Sequence, residues 1–279
     1  MIKLGIGIPA YGSHLDVGHA AMWLGLGAAL LEARDKVTLH WFAEYHINGI
    51  DLCRNTIVYD AMQAGCDWVF MIDADTFHRS TGENGVADAM ADAGVDIIQM
   101  IRDADRGQYP HWTGDRHELR PISMPRADRH NGVALVGAPV RGRGGAQGVC
   151  VQELIEYTGD PGDDSRPFRV GGMLPLERIR GHVFSVGRIG GACIAVNCGW
   201  LRKYWPKAPW FVMEHDYSER PSNARGEDYS ICDGIWERGG VVLCDGRFVP
   251  EHVDRRRLVG EDDEDDEYEE VVEKTIPTL

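Results

Sequence analysis

The sequence lacks any run of about 18 apolar residues, the length a membrane-crossing helix needs, so no transmembrane span is expected. Its opening residues, MIKLGIGIPAYG, are too short and too Gly-rich for a secretory signal. There is no CxxC pair, and the seven cysteines are an odd number. The closest two, Cys193 and Cys198, lie in apolar surroundings. That pattern reads as buried free thiols in preference to a zinc site or a disulfide framework. A reducing cytoplasm fits these absences. No internal repeat is evident.

Positive charge is scarce, with a net charge of -15. Much of the deficit is local. Residues 261–270, EDDEDDEYEE, hold nine acidic residues and no basic one. Without them the body is only about six charges negative, so overall charge does not make it a nucleic-acid binder. The acidic tail is expected to be solvated and disordered. What the chain does have is 43% hydrophobic residues and eight Trp, enough for a sizeable core.

The stretch Asp67-Trp-Val-Phe-Met-Ile-Asp73-Ala-Asp75 stands out. Its apolar run reads as a strand buried on both faces. Two carboxylates at i and i+2 follow, and charge at the end of such a strand calls for a partner. Hard divalent cations prefer oxygen ligands, and α/β sheets bind ligands beyond the carboxyl ends of their strands. A second Asp-Ala-Asp, at Asp103 and Asp105, is expected to be a solvated loop pairing with Arg102 and Arg106.

Taken in order, Lys3 to Pro9 reads as a strand, 13–34 as a helix and Val37 to Ala43 as a strand. Asp51 is expected to cap a helix ending at Gly65. After the acidic strand, 82–94 reads as a helix and Asp96 to Ile101 as a further strand. This alternation implies a mostly parallel sheet with helices on its faces. From 103 to about 181, Gly, Pro and Arg break the pattern, with short strands at Val133 to Val136 and Val149 to Tyr157. Order returns at 183–196, with a short helix at Gly199 to Tyr204, a helix at Glu227 to Arg238 and a strand at Val241 to Cys244. Gly5-Ile-Gly7-Ile-Pro9-Ala10 formally matches a dinucleotide fingerprint, but Pro9 and Ala10 continue the strand where a helix should open.

An ordered set of pieces now carries a family resemblance. Pro9-Ala10-Tyr11 ends the first strand, and Arg54-Asn55 lies on a helix before Asp73-Ala-Asp75. Gly190-Gly191-Ala-Cys193, Trp210-Phe211, Gly226-Glu227-Asp228, Gly239-Gly240 and His252 follow. The set, over about 1–102 and 183–254, resembles the GT-A glycosyltransferases, close to the family 2-like enzymes. The resemblance implies an α/β, Rossmann-like, mostly parallel sheet flanked by helices. It divides the chain into a nucleotide-sugar-binding half (1–102), an irregular insertion or acceptor lobe (103–182), an acceptor and catalytic half of the same domain (183–258) and the tail (259–279).

By the same resemblance, the enzyme moves a sugar from a nucleoside-diphosphate donor, UDP or GDP, to an acceptor hydroxyl, with inversion. Asp75 and Asp73 bind Mn²⁺ (or Mg²⁺), and His252 is a further ligand. His252 is otherwise a surface histidine beside Glu251. Pro9, Ala10 and Tyr11 frame the base. Arg54 and Asn55 meet the donor, or Arg54 supports the Asp pair. Gly190 and Gly191 let the backbone approach the donor sugar or acceptor. Asp228 is the base that deprotonates the acceptor, with Glu227 as second choice. His78, His111, His117 and His130 lack ligand spacing and read as solvent or acceptor contacts. A nucleotidyltransferase and a catalytically silent nucleotide-sugar-binding module remain open. The acceptor is a glycan, a protein or a modified DNA base. The composition suits a phage-encoded enzyme acting in a host cytoplasm.

Overall fold

The computed structural model describes residues 2–9, 37–44, 49–74, 76–77, 86–112, 117–140, 148–158, 166–213 and 226–252. The helix expected over 13–34 and the acidic tail lie outside the described residues. The first half runs β1 (Ile2–Pro9), β2 (Val37–Glu44), α1 (Ile50–Gln63), β3 (Trp68–Ile72), β4 (Thr76–Phe77) and α2 (Val86–Arg106). Then come β5 (Gln108–Trp112), β6 (His117–Pro121), β7 (Val133–Gly137), β8 (Gly148–Tyr157), β9 (Phe168–Pro175) and the single-turn α3 (Leu176–Ile179). The chain continues through β10 (Val183–Ser185), β11 (Arg188–Ile189), β12 (Cys193–Asn197), α4 (Cys198–Tyr204), α5 (Glu227–Glu237), β13 (Val241–Asp245) and β14 (Glu251–His252).

A seven-stranded sheet in the order β10-β13-β7-β12-β3-β1-β2 forms the centre. β1, β2 and β3 are mutually parallel, and β7 and β13 run the same way. β12 is antiparallel to both β3 and β7, and β10 is antiparallel to β13. Five of the seven strands therefore point in one direction, flanked by helices, as the sequence leads one to expect. All five residues of β3 and all five of β13 are buried, which is why each reads as an unbroken apolar run. Among the described residues no helix is long and apolar enough to cross a membrane.

Glycines mark two tight places. Gly65, at φ 74°, turns the chain out of α1, a backbone conformation that costs glycine little. Gly7, one of the fingerprint glycines, lies within β1, where a Cβ would sit 2.3 Å from Ile57 of α1. Its smallness serves helix-on-strand packing.

Four expectations need correction. Asp96 to Ile101 is not a strand but the second half of α2. Ile97, Ile98, Ile101 and Ala104 are buried at helical spacing, and a short apolar run does not by itself distinguish the two periods. The second Asp-Ala-Asp is not a solvated loop either. It rides the last turns of α2, with Asp103 buried against Arg247 and Asp105 accepting from Trp68 Nε1 at 3.4 Å. Nor is the stretch 103–182 set apart from the sheet. β7 inserts between β12 and β13, while β8 pairs with β11 on one side and β9 on the other in a small antiparallel sheet. Finally, Asp51 sits in the first turn of α1, and Gly49 occupies the cap position.

Candidate active site

The site assembles where β1 and β3 end and β12 begins. β3 delivers Asp73, whose backbone N–H donates to Ala192 O at 2.9 Å, so the residue is pinned to the turn that enters β12. α1 packs on the same strands and sends Arg54 inward, with only 2% of the residue exposed. Its Nη2 donates to Asp73 Oδ1 at 2.7 Å, and its Nη1 donates to Glu227 Oε1 at the start of α5. A guanidinium can hold two carboxylates at once because its donors fan out in a plane. The Phe211 ring lies 5.9 Å from its Cζ.

Asp228 follows Glu227 but faces elsewhere. Its Oδ2 accepts from Gly191 N at 3.2 Å and its Oδ1 from Tyr229 N at 2.8 Å. The carboxylate is thus clasped between the β11–β12 turn and the first turn of α5, where an anion is favoured by the helix dipole. Cys150 of β8 lies alongside: its carbonyl accepts from Gly190 N at 2.7 Å. A Cβ on Gly190 would fall 2.8 Å from Cys150 Cβ, and one on Gly191 would fall 2.6 Å from Arg54 Nη1. The glycines are small because Cys150 and Arg54 occupy the space a side chain would need.

The electrostatics follow from burial. Burial pulls the Arg54 pKa down, but Asp73 and then Glu227 and Asp228 outweigh it, and the net shift is upward. Arg54 is a fixed cation. Burial raises Glu227, against the opposing pull of Arg54. Burial also raises Asp228, offset in part by Arg54 and by the Gly191 and Tyr229 N–H groups. A carboxylate with a raised pKa that is not tied up in an ion pair accepts a proton more readily than a free one. Glu227, in contact with Arg54, is a poorer base.

The candidate residues therefore part company. Arg54, Asp73, Glu227, Asp228, Gly190 and Gly191 come together. Arg54 spends both terminal nitrogens on carboxylates, those of Asp73 and Glu227. Asn55 bonds to the backbone of the 210–211 segment. Its Oδ1 accepts from Trp210 N at 2.8 Å and Phe211 N at 3.1 Å, and its Nδ2 donates to Phe211 O at 2.7 Å. It holds the 210–211 segment, and with it the ring beside Arg54. Pro9 is buried at the end of β1 beside Glu44 of β2. Ala10, Tyr11 and Asp75 lie outside the described residues.

His252 is described by its backbone alone. β14 is antiparallel to β4, with His252 opposite Thr76, and Thr76 N donates to Asp73 O at 2.9 Å. The pairing brings the His252 position opposite the residue that follows Asp75 in sequence. No group of three or more potential ligands forms among the described residues. Aspartate and histidine side chains, the residue types the sequence offers in Asp73, Asp75 and His252, suit a divalent cation such as Mn²⁺.

Sequence reasoning missed Cys150 and Tyr229, which flank Asp228. The Tyr229 hydroxyl reaches Met173 Sδ at 3.9 Å, and the Arg188 guanidinium lies 5.5 Å from its ring. Arg188 is anchored by both oxygens of buried Asp233, each at 2.7 Å. No local pattern announces Cys150, because β8 reaches the site only through sheet pairing, whereas Tyr229 directly follows Asp228 on α5. His130, read as a solvent or acceptor contact, accepts from Gly132 N at 3.0 Å in a turn.

No protein-family model matches the sequence, and no curated protein matches it. Among solved structures the chain is similar to GalNAc-T7, crystallised with UDP, GalNAc and Mn²⁺, at 12% identity and a TM-score of 0.38. The similarity covers 96% of this chain and 46% of that one, so this chain spans less than half of that protein's length. It is also similar to a mannose-1-phosphate geranyltransferase from Thermus thermophilus, at 14% identity and a TM-score of 0.37. There the cover is 90% of this chain and 76% of the other. Likenesses this distant assign no function, which the site's own geometry has to carry.

Proposed function

We propose that the protein is a metal-dependent glycosyltransferase that moves a sugar from a nucleoside-diphosphate donor to an acceptor hydroxyl with inversion. One observation carries the reading. A buried arginine gathers the acidic residue at the end of a central strand and the acid at the start of α5, leaving Asp228 clasped by backbone N–H groups beside them. Ligands of α/β sheets bind at such strand ends.

In this reading Asp228 takes the proton of the acceptor hydroxyl as its oxygen attacks the anomeric carbon, and the bond to the nucleoside diphosphate breaks. Glu227 is the counter-ion of Arg54, and Arg54 fixes the orientation of Asp73. Pro9, Ala10 and Tyr11 frame the nucleobase, and the Gly190-Gly191 turn borders the donor sugar. Asp73, Asp75 and His252 would hold Mn²⁺ (or Mg²⁺). The cation supplies neutralisation of the charge that develops on the departing diphosphate. The donor is a UDP- or GDP-sugar.

A thermal-shift panel of UDP-, GDP-, ADP- and TDP-sugars, with and without Mn²⁺, tests this. A donor at a hundred times its Kd should add about 2.7 kcal/mol of stability by mass action, and only with metal present. No metal-dependent shift with any nucleotide sugar would sink the proposal. A shift without release of nucleoside diphosphate would instead make the protein a binding module. Asp228→Asn should keep the donor shift and lose transfer.

A further inference from the structure

A second arginine clamp, outside the cluster around Arg54, has no part in the chemistry above. Arg247 follows the end of β13 and joins two buried carboxylates. Its Nη2 lies 2.6 Å from Asp245 Oδ2 and 2.8 Å from Asp103 Oδ2, and its Nε donates to Asp245 Oδ1 at 2.9 Å. Asp245 is wholly buried and Asp103 is 2% exposed. Gln99 Nε2 steadies the other Asp103 oxygen at 2.6 Å. The guanidinium also lies 5.4 Å from the Tyr109 ring and 5.2 Å from the Phe248 ring. The turn itself is wedged, because a Cβ on Gly246 would fall 2.1 Å from Ile179 O.

Two buried acids share one arginine in the interior. Apolar residues of similar volume would be at least as stabilising, so the arrangement is better explained by the geometry it fixes. That geometry has a direction. Asp103 ties the last turns of α2 to the end of β13, and Arg247 sets where the chain leaves that strand. Phe248 and Val249 then pack on the core, Pro250 is buried, and β14 arrives with His252 opposite Thr76.

We propose that Arg247, with Asp103 and Asp245, is a positioning device that fixes β14 against β4 and so sets the His252 position relative to Thr76 and Asp73. The inference rests on the metal-dependent reading above. None of the three clamp residues is itself a metal ligand or a donor contact. Their effect passes through the chain from Arg247 to His252.

The test compares wild type with Asp103→Asn/Asp245→Asn/Arg247→Met, which removes the three charges together, and with Arg247→Lys, which keeps the charge and loses the fork. Mn²⁺ affinity is read by electron paramagnetic resonance of the free ion in the presence of UDP or GDP. Backbone exchange at 76–77 and 251–252 is read by mass spectrometry. The variants should weaken Mn²⁺ binding by about tenfold, the lower end of what loss of a supporting contact does to a metal site. They should also speed exchange at 76–77 and 251–252, while exchange in β3 stays as in wild type. Unchanged Mn²⁺ affinity in the variants beside a binding wild type would overturn the clamp and leave the metal reading standing. A wild type that binds no Mn²⁺ would overturn both. If the triple variant does not fold, Arg247→Lys decides on the same readouts.

Discussion

Arg54 and Glu227 form a buried ion pair although 173 positions separate them in sequence. The pair joins α1 to α5, and through Asp73 it reaches the end of β3 as well. The candidate site is therefore an interior contact between distant parts of the chain as well as a surface for ligands.

Replacing Arg54 by Met should cost about 3–5 kcal/mol, because it leaves two largely buried carboxylates without their cation. Arg54→Lys should cost less and still impair the site, since an ammonium cannot span Asp73 and Glu227 in one plane. Urea unfolding midpoints at pH 7 measure both. A loss below about 1 kcal/mol for Arg54→Met would place the pair among ordinary surface contacts.

Gly191→Ala should displace Arg54 directly, since the new Cβ would lie 2.6 Å from Nη1 and 2.8 Å from Cζ. Overpacking of this kind typically costs about 1–3 kcal/mol. Denaturant unfolding gives the stability loss, and the thermal-shift panel should show a weakened donor response. Wild-type behaviour in both would mean the turn yields without moving the guanidinium.

Asp228 gives a pH signature. Its folded pKa is raised, by burial above all, so the folded state holds its proton more tightly than the unfolded chain does. The resulting stability is present in full below the unfolded value, near pH 4, and is lost as pH rises through the folded value. Asp228→Asn does not titrate. Its melting temperature relative to wild type should therefore climb as pH rises from about 4 through the folded value. A difference that stays flat across that range would show that Asp228 titrates at its ordinary value.

The thiols should divide by burial. Cys53, Cys66, Cys193, Cys198, Cys232 and Cys244 are buried and form no disulfide, and Cys150 is exposed. Burial pushes Cys198 up to about 12, and Cys193, Cys232 and Cys244 are also driven upward. A thiol reagent should modify one cysteine in the native protein, slowly at pH 7, because burial and then Asp228 also raise Cys150. All seven should react in denaturant. Fast reaction of several thiols under native conditions would contradict this packing.

The sequence made the elements with a single clear period legible: β1, β3, α5 and β13 lie within a residue or two of where their patterns put them. Ambiguity arose where two periods fit, as in Asp96 to Ile101, which a strand and a helix face explain equally well. Val133 to Val136 was recognisable as a strand, but its neighbours β12 and β13 are set by long-range pairing that no local pattern encodes. The same limit governed the site. Asp73 and Asp228 announced themselves by residue type and place. The partners that give them meaning, Arg54 reaching Glu227 and Gly191 reaching Asp228, exist only after folding. Asp103 looked like a twin of Asp73 until Arg247, from the far end of the described chain, took it out of solvent.

The place of β12 bears on how the chain comes off the ribosome. β3 pairs with β1 on one side and with β12 on the other, and β12 begins at Cys193. An emerging chain must therefore complete well over a hundred further residues before the apolar β3 can lose its open edge. An unpaired, uncharged edge of this kind is a template for wrong partners. Long-range pairing of this sort also slows folding. A chain truncated before residue 193 should accordingly accumulate as aggregate or depend on chaperones, while the full-length protein escapes once β12 closes the gap.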